Sequence, residues 1–134
     1  MNTISSYLGE DFDLVEAVTD RKIPLPHRIA IRRELEKVRS FPYDHLLPPQ
    51  KTIKSLGLLY DGTPLYALRP HCPGKTQYRF SLVSPIRYGF LVLDFFHRKD
   101  ANFEKQIAIA ENRYKRIQSN QATYELIDLN KLSL

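Results

Sequence analysis

Apolar and polar positions change their period three times along the chain. Phe12, Val15 and Val18 fall at helical spacing within residues 10–20, and the pattern stops before Ile23-Pro24-Leu25-Pro26. A second helix is predicted from near Pro26, a residue tolerated in a first turn, to Arg39, with Ile31, Leu35 and Val38 inward. Phe41 to Gln50 contains Pro42, Pro48 and Pro49 and reads as a loop, and Ile53 to Leu59 adds a short strand. The period then drops to two in Leu65-Tyr66-Ala67-Leu68-Arg69 and in Gln77-Tyr78-Arg79-Phe80-Ser81-Leu82-Val83, before an apolar run from Gly89 that ends in His97-Arg98-Lys99. Asp61-Gly62-Thr63-Pro64, Pro73-Gly74-Lys75 and Ser84-Pro85 to Gly89 are turn signals between these segments, so a meander of three or four antiparallel strands is predicted. Residues 103–118 return to helical spacing through Phe103, Ile107, Ala110, Tyr114 and Ile117.

The order is therefore N-terminal helices, a small antiparallel sheet and a helix packed on it: one α+β domain over residues 1–134. An acidic leader (about 1–14) precedes it and a C-terminal tail (about 119–134) follows. For that tail, a late strand at Tyr124 to Leu129, a plain extension and a partner-binding segment all remain open. No internal repeat is present.

Charge is more informative by position than in total. The net +5 divides into an acidic start, where Glu10, Asp11, Asp13, Glu16 and Asp20 face no lysine or arginine, and a basic middle. Residues 21–99 hold fifteen Lys or Arg against five Asp or Glu, a balance of +10, which points to a polyanionic partner, most simply nucleic acid. The leader is also a candidate to fold back over that basic surface. A single cysteine, Cys72, excludes an intrachain disulfide and any cysteine-cluster metal site, and no run approaches the length of a membrane span. Without a basic segment at its start, the chain is expected to be soluble and cytoplasmic, with no membrane partner.

Strand alternation puts Leu65, Ala67 and Arg69 on one side of their strand, and Arg79, Ser81 and Val83 on one side of theirs. If the two sides coincide, the sheet carries an apolar floor edged by guanidinium groups, whose geometry suits a phosphate. The plainer alternative is a pair of edge arginines lying over the core with solvated heads. Lys51 and Lys54 extend the basic surface. Tyr66, Tyr78 and Tyr88 are able to stack on bases or to fill a core. His27, His45 and the His71-Cys72 pair lack the spacing of metal ligands or of a nucleophile with its base, so neither a metal nor a cofactor is expected.

Together these segments resemble the RelE/ParE superfamily of bacterial toxins, its HigB-like branch most closely. Leu65-Tyr66-Ala67-Leu68-Arg69 is similar to the family's "LYELR" strand, and Tyr78-Arg79-Phe80 to its following "YR" strand. Phe96-His97-Arg98-Lys99 resembles the "F-x-K-K" that ends the last core strand, and Ile107 to Arg113 the "EIxxAxxR" helix. The chain departs from the pattern at Ala67 and Gln106, where the family has glutamate. The resemblance implies a type II toxin-antitoxin toxin, a ribosome-dependent mRNA endonuclease acting by metal-independent 2′-hydroxyl attack. Its implied partners are the ribosome, mRNA and a helix-turn-helix antitoxin from an adjacent gene. Catalytic roles then fall to Arg69, Arg79, His97 and Lys99, and RNA contacts to Lys51, Lys54, Arg87, Tyr88 and Arg98. The alternative is a non-catalytic protein of the same fold, either a topoisomerase inhibitor of the ParE kind or a degenerate phage-type relative.

Overall fold

A computed structural model describes residues 3–19, 22–40, 52–74, 78–86, 89–97 and 102–134. The loop read over Phe41 to Gln50, and with it Lys51, Arg87, Tyr88, Arg98 and Lys99, lies outside the described residues. Among the described residues the architecture is α+β: a six-stranded mixed sheet with three α-helices.

The meander read from the sequence forms one side of that sheet. Strands β2 (Ile53–Leu58), β3 (Pro64–Leu68), β4 (Tyr78–Ile86) and β5 (Gly89–His97) pair antiparallel in chain order. The turn at Asp61-Gly62-Thr63 closes with Gly62 N–H donating to the Leu59 carbonyl at 2.9 Å, and Gly62 takes a φ of +87° that suits glycine. Gly57, at +105°, sits at the irregularity in the β2–β3 register.

Two expectations are corrected. The chain begins with a strand rather than a helix: β1 (Thr3–Leu8) pairs parallel to β5 and antiparallel to β6 (Thr123–Leu126), giving the order β2-β3-β4-β5-β1-β6. The start of the supposed leader is thus interior sheet, with Ile4, Ser5, Ser6 and Tyr7 all buried. Neighbours on both sides bury the strand's alternate residues, so no apolar–polar alternation marks it in the sequence. Gly89 permits the close β1–β5 approach, because a Cβ there would lie 2.6 Å from the Thr3 carbonyl oxygen. Of the readings open for residues 119–134, the late strand is the one observed, as β6. After β6, a 3₁₀ turn at Leu129–Ser133 buries Leu129 and Leu132 and lies on the second helix, where Arg32 Nη1 donates to Ser133 Oγ at 2.6 Å.

Helix α1 (Leu14–Thr19) is shorter than the spacing of residues 10–20 implied, and it buries Leu14 and Val18. Phe12 is buried too, but in a bridge with Gly9 ahead of the helix. Helix α2 (Leu25–Arg39) has Pro26 in its first turn and turns Ile31, Leu35 and Val38 fully inward, as read. Helix α3 (Phe103–Gln118) starts at Asn102, whose side chain accepts the Lys105 N–H at 3.1 Å. It buries Ala110 and Tyr114, while Phe103 is exposed.

Helices α2 and α3 reach opposite faces of the sheet. His27 of α2 meets Tyr78, whose ring lies against His97, whereas Arg113 of α3 meets Asp94, one residue from Phe95 on the Tyr78 side. No helix among the described residues is long and apolar enough to cross a membrane.

Candidate functional site

The β3–β4 register pairs Leu65 with Val83 and Ala67 with Ser81, so the two strands present these residues on the same face. Two residues further along each strand stand Arg69 and Arg79. Alternation carries both onto that face, at the end of the sheet where β3 leaves and β4 enters. The Arg69 backbone N–H donates to the Thr52 carbonyl at 2.8 Å, which continues the β2–β3 pairing one step beyond the strands and fixes the rim. Arg79 Nη1 donates to the Tyr78 carbonyl at 3.3 Å. Lys54 pairs with Ala67, which puts it on this face one row inward, and its side chain is exposed.

The chain continues to alternate after β3. Arg69 is half-buried, Pro70 buried, His71 exposed and Cys72 buried. Proline has no N–H to give a ladder, so regular pairing ends there while the period of two persists. His71 is exposed and opens on the same cleft as Arg69. This cleft, of about 230 Å³, is lined by Thr52, Arg69, His71, Cys72, Gly74 and Arg79. Gly74, at φ +78°, makes the turn that closes its far wall.

Cys72 contributes wall and not chemistry. Burial, helped by the nearby Glu34 carboxylate, pushes its thiol up to about 11, and its Sγ lies 4.0 Å from the His27 carbonyl oxygen. A thiol in that state is not a nucleophile near neutral pH.

His97 is not brought to the arginines. It pairs with Tyr78, and Arg79 pairs with Phe96, so the histidine faces the opposite side of the sheet. There its ring packs 4.7 Å from the Tyr78 ring, and the Tyr78 hydroxyl lies 3.1 Å from His27 Nδ1. Tyr66 and Tyr78 are 5% and 1% exposed, so both fill the core and neither offers a stacking surface for a base. Burial, then Cys72, raises the Tyr78 hydroxyl above its usual value. The described part of the expected constellation therefore reduces to Arg69, Arg79 and Lys54. His71 and Thr52 join it, and the signal for His71 was the alternation running on through Arg69-Pro70-His71-Cys72.

A second polar cluster lies on the same face, under α3. Arg113 Nη1 donates to an Asp94 carboxyl oxygen at 3.0 Å and to the Leu93 carbonyl at 2.7 Å, at the point where the β4–β5 register slips by one residue. Its Nε donates to Asp11 at 3.2 Å, and its guanidinium lies 4.6 Å from the centre of the Phe12 ring. Arg116 reaches Asp11 at 3.6 Å and the Tyr7 hydroxyl at 2.8 Å. Burial raises the Asp94 carboxyl above the usual range, although Arg113 pulls against it. Burial also opposes ionisation of Asp11, but there the bonds from the Tyr7 hydroxyl, its own backbone N–H and Arg113 outweigh it and hold the carboxyl low. Of the leader's carboxylates, Asp11 is turned to Arg113 and Arg116 on α3. Set beside known proteins, the chain matches no protein family, no curated protein and no solved structure.

Proposed function

We propose that this chain binds and cuts RNA at the Arg69/Arg79 cleft, as a cytoplasmic toxin of the type II toxin-antitoxin kind that cleaves mRNA on the ribosome and is held in check by an antitoxin. The observation that supports it best is the shared face of Arg69 and Arg79. Two guanidinium groups at adjacent strand ends, over a cleft of about 230 Å³, match the size and charge of a phosphodiester. The balance of +10 over residues 21–99 supplies the attraction for the rest of the strand. Chemically, 2′-hydroxyl attack builds negative charge on the phosphoryl oxygens, and fixed cations at that point lower the barrier. The sequence resemblance to RelE/ParE toxins agrees with this reading.

The test is induction of the chain in bacteria, scored for growth arrest and for mRNA cleavage, alongside Arg69→Ala and Arg79→Ala. Arrest and cleavage by the parent protein, lost in both variants, is the expected result. Arrest that survives in both variants removes the cleft from the function.

The non-catalytic reading has one observation in its favour: His97, the proton-transfer candidate from the sequence, sits on the other face against Tyr78. On that reading the same cations hold an acidic partner and RNA is bound without being cut.

A further inference from the structure

We infer that His71 is the catalytic residue that takes the 2′-hydroxyl proton when the cleft holds an RNA phosphodiester; this rests on the RNA-cleaving reading above. Cleavage needs a group that accepts a proton beside the cations that hold the phosphate. The other described candidates at this end of the sheet are buried or otherwise engaged, Glu34 among them, at 7% exposure and with its Oε1 3.7 Å from Lys37 Nζ. His97 and His27 lie on the opposite face, one ring against Tyr78 and one nitrogen 3.1 Å from its hydroxyl. Tyr78 is 1% exposed, and Cys72 is buried with its sulfur toward the His27 carbonyl. Asp94 is on the cleft's face but is 7% exposed and bonded to Arg113. The guanidinium groups of Arg69 and Arg79 carry donors and no acceptor.

His71 differs on each count. It lines the cleft with Arg69 and Arg79, its side chain is exposed, and it stands two residues from Arg69 in the chain. Pro70, buried and fixed in φ, separates the two and limits how far they move relative to one another. Imidazole is also the side chain best suited to take up a proton near neutral pH and to return it.

The step balances with RNA and water alone. The 2′-hydroxyl proton passes to an imidazole nitrogen of His71 as the 2′-oxygen forms its bond to phosphorus. The bond from phosphorus to the 5′-oxygen breaks with its electron pair going to that oxygen, which takes a proton from water. The imidazolium then returns its proton to the hydroxide left behind. The products are a 2′,3′-cyclic phosphate and a 5′-hydroxyl. Arg69 and Arg79 hold the phosphoryl oxygens throughout.

The experiment compares the full chain with His71→Gln, His71→Ala and Arg79→Ala. A short end-labelled RNA serves for binding, and ribosomes programmed with a short mRNA serve for single-turnover cleavage across pH. For His71→Gln, RNA affinity is expected within about twofold of the parent and cleavage down by about a hundredfold, with the acidic limb of the pH–rate profile gone. Added imidazole should restore part of the rate to His71→Ala and none to Arg79→Ala. Because His71 is exposed, matching circular dichroism spectra are expected for all His71 variants. An unchanged rate and pH profile in His71→Gln, with Arg79→Ala inactive, overturns the assignment and leaves the RNA-cleaving reading standing. RNA bound but never cut by the parent protein overturns both.

Discussion

Two groups of arginines share one face of the sheet and do different things. Under α3, Arg113 and Arg116 meet carboxylates: Asp94 and Asp11 lie 3.0 and 3.2 Å from Arg113, and Asp11 lies 3.6 Å from Arg116. At the sheet's end, Arg69 and Arg79 line a cleft with His71 and Thr52. The first group ties a helix to the sheet, since Arg113 also caps the Leu93 carbonyl where β5 carries an extra residue. The second lies where two strands end and the chain turns away, and it lines an opening with His71 and Thr52. Their places in the register differ too: Asp94 pairs with Ser81, and Arg79 pairs with Phe96, half-buried and apolar.

Removing a charge should therefore destabilise the fold in one group and silence activity in the other. The largest stability effect is expected from Arg113→Ala. The Arg113 and Asp94 side chains are each 11% exposed, so the substitution strands a buried carboxylate and costs about 3 kcal/mol. Urea unfolding would register it, and the melting temperature should fall by about 10 °C. Arg69→Ala and Arg79→Ala should leave the unfolding midpoint near that of the parent while cutting RNA cleavage about a hundredfold each, the usual cost of losing a cation at developing charge, about 3 kcal/mol. An equal loss of stability in all three variants would erase the distinction between the groups.

A smaller effect, by pH, separates the two carboxylates of the α3 group. Asp11 is held below the usual carboxylate range, so its ionised form favours the folded state. That contribution is fully present above the unfolded value, about pH 4, and is lost as pH falls through the folded one. Asp11→Asn should flatten the acid limb of the stability curve, as followed by thermal melts at several pH values. Asp94, raised by burial, contributes with the opposite sign: its share of stability declines as pH rises from the unfolded value to the folded one. The smallest effect is expected at Lys54, exposed and one row inward of the arginines. Lys54→Ala should leave melting unchanged and make the slope of log RNA affinity against log salt shallower by about 0.7, one phosphate contact on a single strand.

The sequence made the two-faced alternation legible and with it the arginine pair, because both strands expose one polar face at their ends and the turns between them carry glycine and proline. Helices α2 and α3 were legible for the same reason: Ile31, Leu35 and Val38, then Ala110 and Tyr114, keep helical spacing and are buried. Strand β1 was not, since serines fill both of its faces and a buried Ser5 or Ser6 looks like a polar loop residue until a neighbour covers it. His97 lies apart from the arginines for a physical reason as well. One residue of register decides the face in a strand, and the pairing of Arg79 with Phe96 gives the histidine to the side of α2. Asp11 was read as part of an acidic leader, but its partners on α3 are 102 and 105 residues away in the chain, beyond the reach of local pattern.

Binding of a short single-stranded RNA at low salt, by the parent protein and by an Arg69→Ala/Arg79→Ala double variant with matched unfolding midpoints, tests the central claim most directly. Two lost phosphate contacts predict an affinity at least tenfold weaker and a salt slope shallower by about 1.4. The same affinity and the same slope in both proteins would contradict it.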